Sequence, residues 1–98
     1  MAKGIQLNWT LSADDATDVD HYSIKQAASA GPTVEVAQVA QGVNTYTTGA
    51  LADGTYYFRI TAVDADGNGS PYSNEVSETV DTDAPAAPTA LTSQVVDV

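Results

Sequence analysis

Apolar side chains recur at every second residue over short segments, and this period constrains the fold more than any other feature. The clearest case is "TYYFRITAV", residues 55–63. Its predicted inward set is Tyr56, Phe58, Ile60 and Ala62, and its outward set is Tyr57, Arg59 and Thr61. A strand sends successive side chains to opposite faces, and no segment shows a helical apolar stripe with caps. The sequence therefore predicts strands with one buried face.

Six such segments follow one another at intervals of roughly ten residues, separated by turn signals. The segments are 5–9, 20–26, 33–39, 44–48, 55–63 and 72–80. Between them lie stretches such as "AASAGP" and "DADGNGSP", rich in turn-forming residues. This spacing predicts an all-β sandwich with about six to seven antiparallel strands in two sheets. The predicted core is Ile5, Leu7, Trp9, Tyr22, Ile24, Val34, Val36, Tyr56, Phe58, Ile60 and Val76.

Composition limits the classes of function. A chain of 98 residues has room for one domain, and 43% hydrophobic residues are enough for a core. Thirteen acidic residues against three Lys and Arg give a net charge of −10, which disfavours nucleic acid and anionic membrane surfaces as partners. There is no cysteine, so thiolate metal sites and disulfides are excluded. No apolar run approaches the roughly 18 residues that a membrane helix needs.

Three motifs together resemble a fibronectin type III module over 5–80. They are the Trp of "LNWT", the apolar-x-x-Tyr of "VDHY", and "LADGTYYFRITAVDADGNGS". The resemblance implies that Tyr56 forms a tyrosine corner, with its hydroxyl on backbone near Leu51. It also implies structural roles, which fall to Trp9, Tyr22, Leu51, Tyr56, Phe58 and Ile60. The acidic loops are more similar to modules of bacterial secreted or surface proteins than to animal matrix modules.

The sharpest chemical motif is "DADGNGSPYSNE", residues 64–75. It matches a calcium loop with Asp64, Asp66, Asn68 and Glu75 at the ligand positions. Its flanks read as strands instead of helices, so ordinary turn residues are the simpler interpretation. A second acidic cluster, 14–20, is expected at the same pole, as a weak shared cation site or, more simply, as a solvated surface.

Other residues give weaker signals. His21 is the only histidine, and no nucleophile elbow or oxyanion-hole pattern accompanies it, so the sequence predicts no enzyme and no cofactor other than calcium. Tyr46, Tyr57 and Tyr72 could form a sugar-stacking row, although cross-strand pairing on the outer face is the favoured interpretation.

The last residues of the chain have the pattern of a first strand. The first strand of the resembled fold has no counterpart before Ile5, whereas "APTALTSQVVDV" has the pattern of that strand. We therefore expect a sandwich over 5–80, a proline-containing linker over 81–88, and over 89–98 a strand like the first strand of a following repeat. Residues 84–98 are expected to be mobile or to mediate head-to-tail self-association.

These features predict a non-catalytic spacer or protein-interaction module of a larger, tandem-repeat protein. The resemblance implies an extracellular or cell-surface location, a role in cell adhesion among the possibilities of the family, and neighbouring domains as partners. The alternative is an accessory module that binds carbohydrate or calcium, with polysaccharide as the partner.

Overall fold

The computed structural model describes residues 2–82 and 85–98, and its regular structure is entirely β. Six strands lie in the described ranges: β1 Gln6–Asn8, β2 His21–Ala27, β3 Glu35–Ala40, β4 Thr45–Thr47, β5 Gly54–Val63 and β6 Val76–Val80. They form a two-stranded sheet, β1-β4, and a four-stranded sheet in the order β3-β2-β5-β6. Every pairing is antiparallel. The predicted all-β sandwich is confirmed.

The pairing of β2 with β5 forms the centre of the larger sheet. Seven consecutive pairs run from His21 opposite Val63 to Ala27 opposite Tyr57. Aromatic and β-branched residues dominate β5, and such side chains fit a pleated, half-buried surface. This long, regular ladder fixes the positions of the loops at both ends of the sandwich.

The core lies between the two sheets and follows the period of two. Its buried members are Ile5, Leu7, Ile24, Phe58 and Val80. Half-buried residues pack against them, namely Trp9, Ala37, Tyr46, Leu51, Tyr56 and Ile60. The predicted core residues from β1, β2 and β5 are therefore inside.

Three predicted core valines are exposed, which corrects the sequence interpretation. Val34 precedes β3 at the edge of the sheet. Val36 is the extra residue of a β-bulge, since Lys25 pairs with Glu35 while Ile24 pairs with Ala37. The bulge turns Val36 outward and places Ala37 on the core face.

The third valine and one threonine have different reasons. Val76 pairs with Phe58 and so shares its core-facing side, yet it is 42% exposed because β6 is an edge strand. Thr61, predicted to face outward, is buried at the centre of the larger sheet opposite Ser23. A central strand has neighbours on both sides, which cover even a side chain on its outer face.

The predicted backbone contact of Tyr56 is present. Its hydroxyl donates to the carbonyl of Ala52 at 2.7 Å, next to Leu51.

Residues 85–98 lie outside the six strands, with Leu91 94% and Val95 100% exposed. The expected linker 81–88 and self-association segment 84–98 include positions 83 and 84, which lie outside the described residues.

Candidate functional site

Two acidic loops meet at one pole of the sandwich, where β2 begins and β5 ends. A cavity of about 250 Å³ lies between them, lined by Asp14 and Asp18 from one loop and Asp64 and Asn68 from the other. A second, of about 210 Å³, is lined by Asp18, Asp20 and Asp66, among others. The two clusters that the sequence placed at one pole are therefore neighbours.

The Asp64 carboxylate organises its own loop. Its Oδ1 accepts hydrogen bonds from the backbone N–H groups of Asp66, at 3.0 Å, and Asn68, at 2.8 Å. Its Oδ2 accepts from Nδ2 of Asn68 at 3.1 Å, and Gly67 takes the positive φ of 87° that the turn requires. These hydrogen bonds, chiefly those from Asn68, lower the pKa of Asp64 below its ordinary value. This carboxylate acts as a turn anchor.

Glu75 does not join the other predicted calcium ligands. Its Oε1 accepts a hydrogen bond from the N–H of Gly31, at 2.6 Å, in the loop between β2 and β3. That loop leaves β2 at Ala27, the end opposite the one where Asp64 lies. Across residues 2–82 and 85–98, no three His, Asp or Glu side chains are grouped so that they could hold a metal ion. Calcium binding at this pole stays a prediction from the sequence.

Tyr22 and Asp15 tie the other acidic loop to the sandwich. The Tyr22 hydroxyl donates to Oδ1 of Asp15 at 2.7 Å and accepts from the N–H of Ser12 at 3.0 Å. Asp15 also accepts from the N–H of Gly42 at 3.0 Å, in the turn between β3 and β4. Burial, followed by the bond to Asp15, raises the pKa of Tyr22 above its ordinary value. Asp15, which sequence reasoning treated only as one member of a charge cluster, is thus a structural hub.

The single histidine has a local partner. His21 is half-buried, and its Nδ1 lies 2.8 Å from Oδ2 of Asp20, the preceding residue. This pair sits at the start of β2, on the strand that carries the Tyr22–Asp15 hub. The arrangement restrains the beginning of β2 and offers no nucleophile to the imidazole.

Tyr46 lies on a different sheet from Tyr57, so the three tyrosines of the predicted sugar-stacking row do not all share one face. Tyr46 belongs to the smaller sheet, pairs with buried Leu7 and packs against the core. Tyr57 is half-buried on β5 in the larger sheet. Tyr72 is 45% exposed, but the guanidinium of Arg59 stacks 3.7 Å from its ring centre.

A groove runs along one side of the sandwich. Three cavities lie in a row between β1 and the segment 70–80; we call this row the lateral groove. The first, of about 220 Å³, lies between Ile5 and Val80. The second, of about 70 Å³, lies between Leu7 and Val76, and the third, of about 170 Å³, begins at Trp9. The groove therefore follows the whole of β1.

A polar atom at the upper end of the groove lacks a partner within the described residues. The indole Nε1 of Trp9 is buried and makes no hydrogen bond there. Trp9 also lines both the middle and the upper cavity. A buried N–H without an acceptor costs free energy, which an acceptor placed in the groove would recover. The sequence signal was the pattern of "APTALTSQVVDV", which pointed to an edge of the sheet without a strand.

The fold and its sites define an immunoglobulin-like β-sandwich domain, built from two antiparallel sheets around one core. Most of its polar clusters anchor loops. The sequence profile of the family described as bacterial Ig-like domain matches residues 5–82, and the chain belongs to this family.

Similar proteins are much longer than this chain. An amylopullulanase of Thermoanaerobacter thermohydrosulfuricus is 33% identical over 78 residues, which are 79% of this chain and 5% of that protein. The crystal structure of a β-1,2-glucanase from Parabacteroides distasonis matches with a TM-score of 0.68 and 26% identity, over 80% of this chain and 11% of that one. A pectate lyase from Pectobacterium carotovorum, at 20% identity and a TM-score of 0.61, covers 89% of this chain and 25% of its own, and shares the fold.

Finally, in the part of the chain that the structure describes, no helix could cross a membrane.

Proposed function

We propose that this domain is a non-catalytic spacer or interaction module within a larger, extracellular protein that acts on carbohydrate. The observation that carries the proposal is the size of the match: 78 residues here correspond to 5% of an amylopullulanase. The β-1,2-glucanase also shares only 11% of its chain with this domain. The two proteins are named for different activities, which supports a shared part that carries neither of them.

The mechanism we propose is mechanical. The long β2–β5 ladder and the Tyr22–Asp15 hub give a stiff body that sets the distance between its neighbours. Pro85 and Pro88 in the segment that follows β6 restrict the backbone and so limit bending at that joint. Neighbouring domains are the partners that this mechanism requires.

Within the bacterial Ig-like family we further propose a fibronectin type III arrangement. In constant-type immunoglobulin domains the fourth strand joins the sheet that contains the second and fifth. In the resemblance described above β1 corresponds to the second strand of the fold, so β3 corresponds to the fourth. Here β3 instead pairs with β2, in the sheet that also holds β5 and β6. The bond from Tyr56 to Ala52 supports the same arrangement, because it lies at the tyrosine corner which that resemblance implies.

The proposal is tested by measuring retention of the domain on pullulan and on insoluble polysaccharides. A spacer is not retained, and its Tyr57→Ala variant behaves identically. Tyr57 is the tyrosine to replace because it lies on the larger sheet, whereas Tyr46 packs against the core. Retention that Tyr57→Ala or Tyr72→Ala abolishes would replace the spacer with a carbohydrate-binding accessory module.

Stiffness is tested separately by ¹⁵N relaxation. A spacer requires uniformly high backbone order parameters over 5–80, near the ~0.85 of a rigid backbone, including the loops at 12–20 and 64–70. Values below ~0.6 in both loops would contradict a rigid module.

A further inference from the structure

The lateral groove has the chemistry of a site for a β-strand. β1 pairs with β4 through Ile5 and Trp9: Thr48 donates to the carbonyl of Ile5, and Trp9 donates to that of Asn44. Because backbone groups alternate along an antiparallel strand, those of Gln6 and Asn8 point to the opposite edge, toward the groove. Among the described residues, no strand pairs with that edge.

Two side chains that line the groove also have groups that an added strand could cover or bond. Val76 faces the core side of β6 but keeps 42% of its surface exposed, and the Trp9 indole N–H is buried without an acceptor. An added strand would cover the valine and could offer a backbone carbonyl to the indole. A small rounded ligand would reach one of the three cavities, whereas an extended chain would reach all of them.

We propose that residues 89–98 of a second copy of this chain fill the lateral groove as an additional strand, antiparallel to β1. The segment carries Leu91, Val95, Val96 and Val98 as exposed apolar side chains. Leu91 and Val95 share one face of an extended chain, with Ser93 between them. The domain thus combines an open edge with a segment that can close it in a neighbour.

Length and charge fix the register. From Lys3 to Trp9 the groove spans seven residues, or six steps of roughly 20 Å in total, and Leu91 to Asp97 spans the same number. Placing Leu91 opposite Trp9 puts Val95 opposite Ile5 and Asp97 opposite Lys3. Apolar side chains then meet the core, and an acidic residue meets one of the three Lys and Arg residues of the chain.

The charge distribution is compatible with the approach of this segment to a second copy. With a net charge of −10, two copies repel each other. Residues 85–98 contain one of the 13 acidic residues, Asp97, so they can approach a second copy with little repulsion. Added salt screens the remaining repulsion and should strengthen the association.

A second copy fits better than the chain's own tail. β6 ends beside the Lys3 end of the groove, since Lys3 Nζ donates to the carbonyl of Asp81 at 2.7 Å. An antiparallel strand must enter at the Trp9 end, so the chain's own tail would first have to run back along the whole groove. The ten residues 81–90 reach at most roughly 35 Å, and over that length they would have to reverse direction at both ends of the groove. The tail instead extends away, in a molecule measuring 77 × 27 × 20 Å.

Disulfide trapping tests the register and the partner together, because the chain has no cysteine of its own. Chains carrying Gln6→Cys are mixed with chains carrying Gln94→Cys under mild oxidation. These positions are directly opposite in the proposed register, at a Cα separation of about 5.5 Å that a disulfide tolerates. We expect a disulfide-linked heterodimer. The matched control, Ser93→Cys in place of Gln94→Cys, faces the other side and should not form one.

Association is measured in parallel on the full chain by sedimentation, from micromolar to millimolar protein. Val95→Asp should weaken association roughly tenfold or more, because it removes a buried valine, whereas Val96→Asp, on the outer face, should change it little. Lys3→Glu and Asp97→Lys should each weaken it, and mixing the two variants should restore it. The Val95, Val96 and Asp97 variants lie outside the sandwich, so a folding defect cannot explain their effects, and for Lys3→Glu the restoration on mixing serves as the control.

The single tryptophan reports whether the groove is filled. The Trp9 indole N–H resonance should move downfield as protein concentration rises, because the N–H gains an acceptor, and should stay fixed in Val95→Asp. Three results would overturn the proposal: a monomer throughout the concentration range, equal effects of Val95→Asp and Val96→Asp, or a disulfide that forms only within one chain when both cysteines are present.

Discussion

Replacing Tyr22 by Phe is expected to destabilise the domain by about 2 kcal/mol. The variant removes the bond from the hydroxyl to Asp15 at 2.7 Å, and bonds to charged groups contribute roughly 1.5–3 kcal/mol. The variant also removes the hydroxyl oxygen that accepts from the N–H of Ser12. Because this N–H is only part-buried, water can bond to it and offset some of the loss. The ring stays, and with it the packing on Trp9, whose ring centre is 5.9 Å away.

The measurement is urea unfolding, followed by far-UV circular dichroism and by the fluorescence of Trp9. For a domain of this size the expected loss corresponds to a fall in melting temperature of roughly 8–16 °C. Tyr56→Phe is the matched comparison, since its hydroxyl donates at the same 2.7 Å but to the neutral carbonyl of Ala52. That variant should cost about 1 kcal/mol, as neutral hydrogen bonds do.

A double-mutant cycle of Tyr22→Phe with Asp15→Ala isolates the contact. Asp15→Ala alone should cost more than Tyr22→Phe, because Asp15 also accepts from the N–H of Gly42. The interaction free energy should be about 1.5 kcal/mol, within the range for residues in one network. Additive costs, or a loss below about 0.5 kcal/mol for Tyr22→Phe, would refute the hub as the anchor of this loop.

Four further predictions concern stability and the acidic pole. Ile24→Ala, at a fully buried position, should cost about 2–5 kcal/mol and Ile24→Val about 0.5–1.5 kcal/mol in urea unfolding; equal costs would contradict its place in the core. Because the pKa of Tyr22 is raised in the folded state, the Tyr22 hydroxyl stabilises the fold below pH 10.0, the ordinary pKa of tyrosine. This stabilisation is lost as the pH rises through the folded-state pKa, and Tyr22→Phe should abolish the dependence. Hydrogen bonds from Ser23 and Gln38 lower the pKa of Glu35 in the folded state. The Glu35 carboxylate therefore stabilises the fold above pH 4.5, its ordinary pKa, and this stabilisation is lost as the pH falls through the folded-state pKa. Glu35→Gln should make the free energy of unfolding less dependent on pH in this acid range. Any calcium-induced shift in the amide resonances of 64–70 should survive Glu75→Gln, because Glu75 binds Gly31; a lost response would show that Glu75 reaches the loop.

The sequence predicted the central part of the fold because one physical signal dominated there. In β5 the alternation of large apolar and polar residues predicted that Phe58 is buried, and Ile24 of the neighbouring β2 is buried as expected, although Thr61 of β5 is buried on the other face. Near Val36 the same rule failed, since a β-bulge inserts one residue and shifts the alternation beyond it. A bulge depends on how two strands pair, and a single strand's composition does not encode it.

The site was less predictable than the fold for a related reason. "DADGNGSPYSNE" satisfies a ligand spacing, yet spacing describes positions along the chain and not directions in space. Glu75 begins the approach to β6, and its side chain reaches the opposite loop. The Tyr22–Asp15 bond joins residues seven apart through a loop whose path only the folded structure defines. The open edge of β1, in contrast, was predicted from the sequence, because the pattern of a first strand occurs after the other strands and not before Ile5.

The acidic side chains show how neutral donors can hold carboxylates in a chain with so few cations. Asp15 is held by a phenol and a backbone N–H, Asp64 by backbone and amide N–H groups, and Glu75 by the N–H of Gly31. Neutral donors of this kind satisfy a carboxylate while leaving its charge unneutralised, so the surface stays strongly negative. Such a surface disfavours random association with other copies. A specific contact must therefore come from a segment that is nearly free of acidic residues, and the one-carboxylate tail opposite Lys3 meets that requirement.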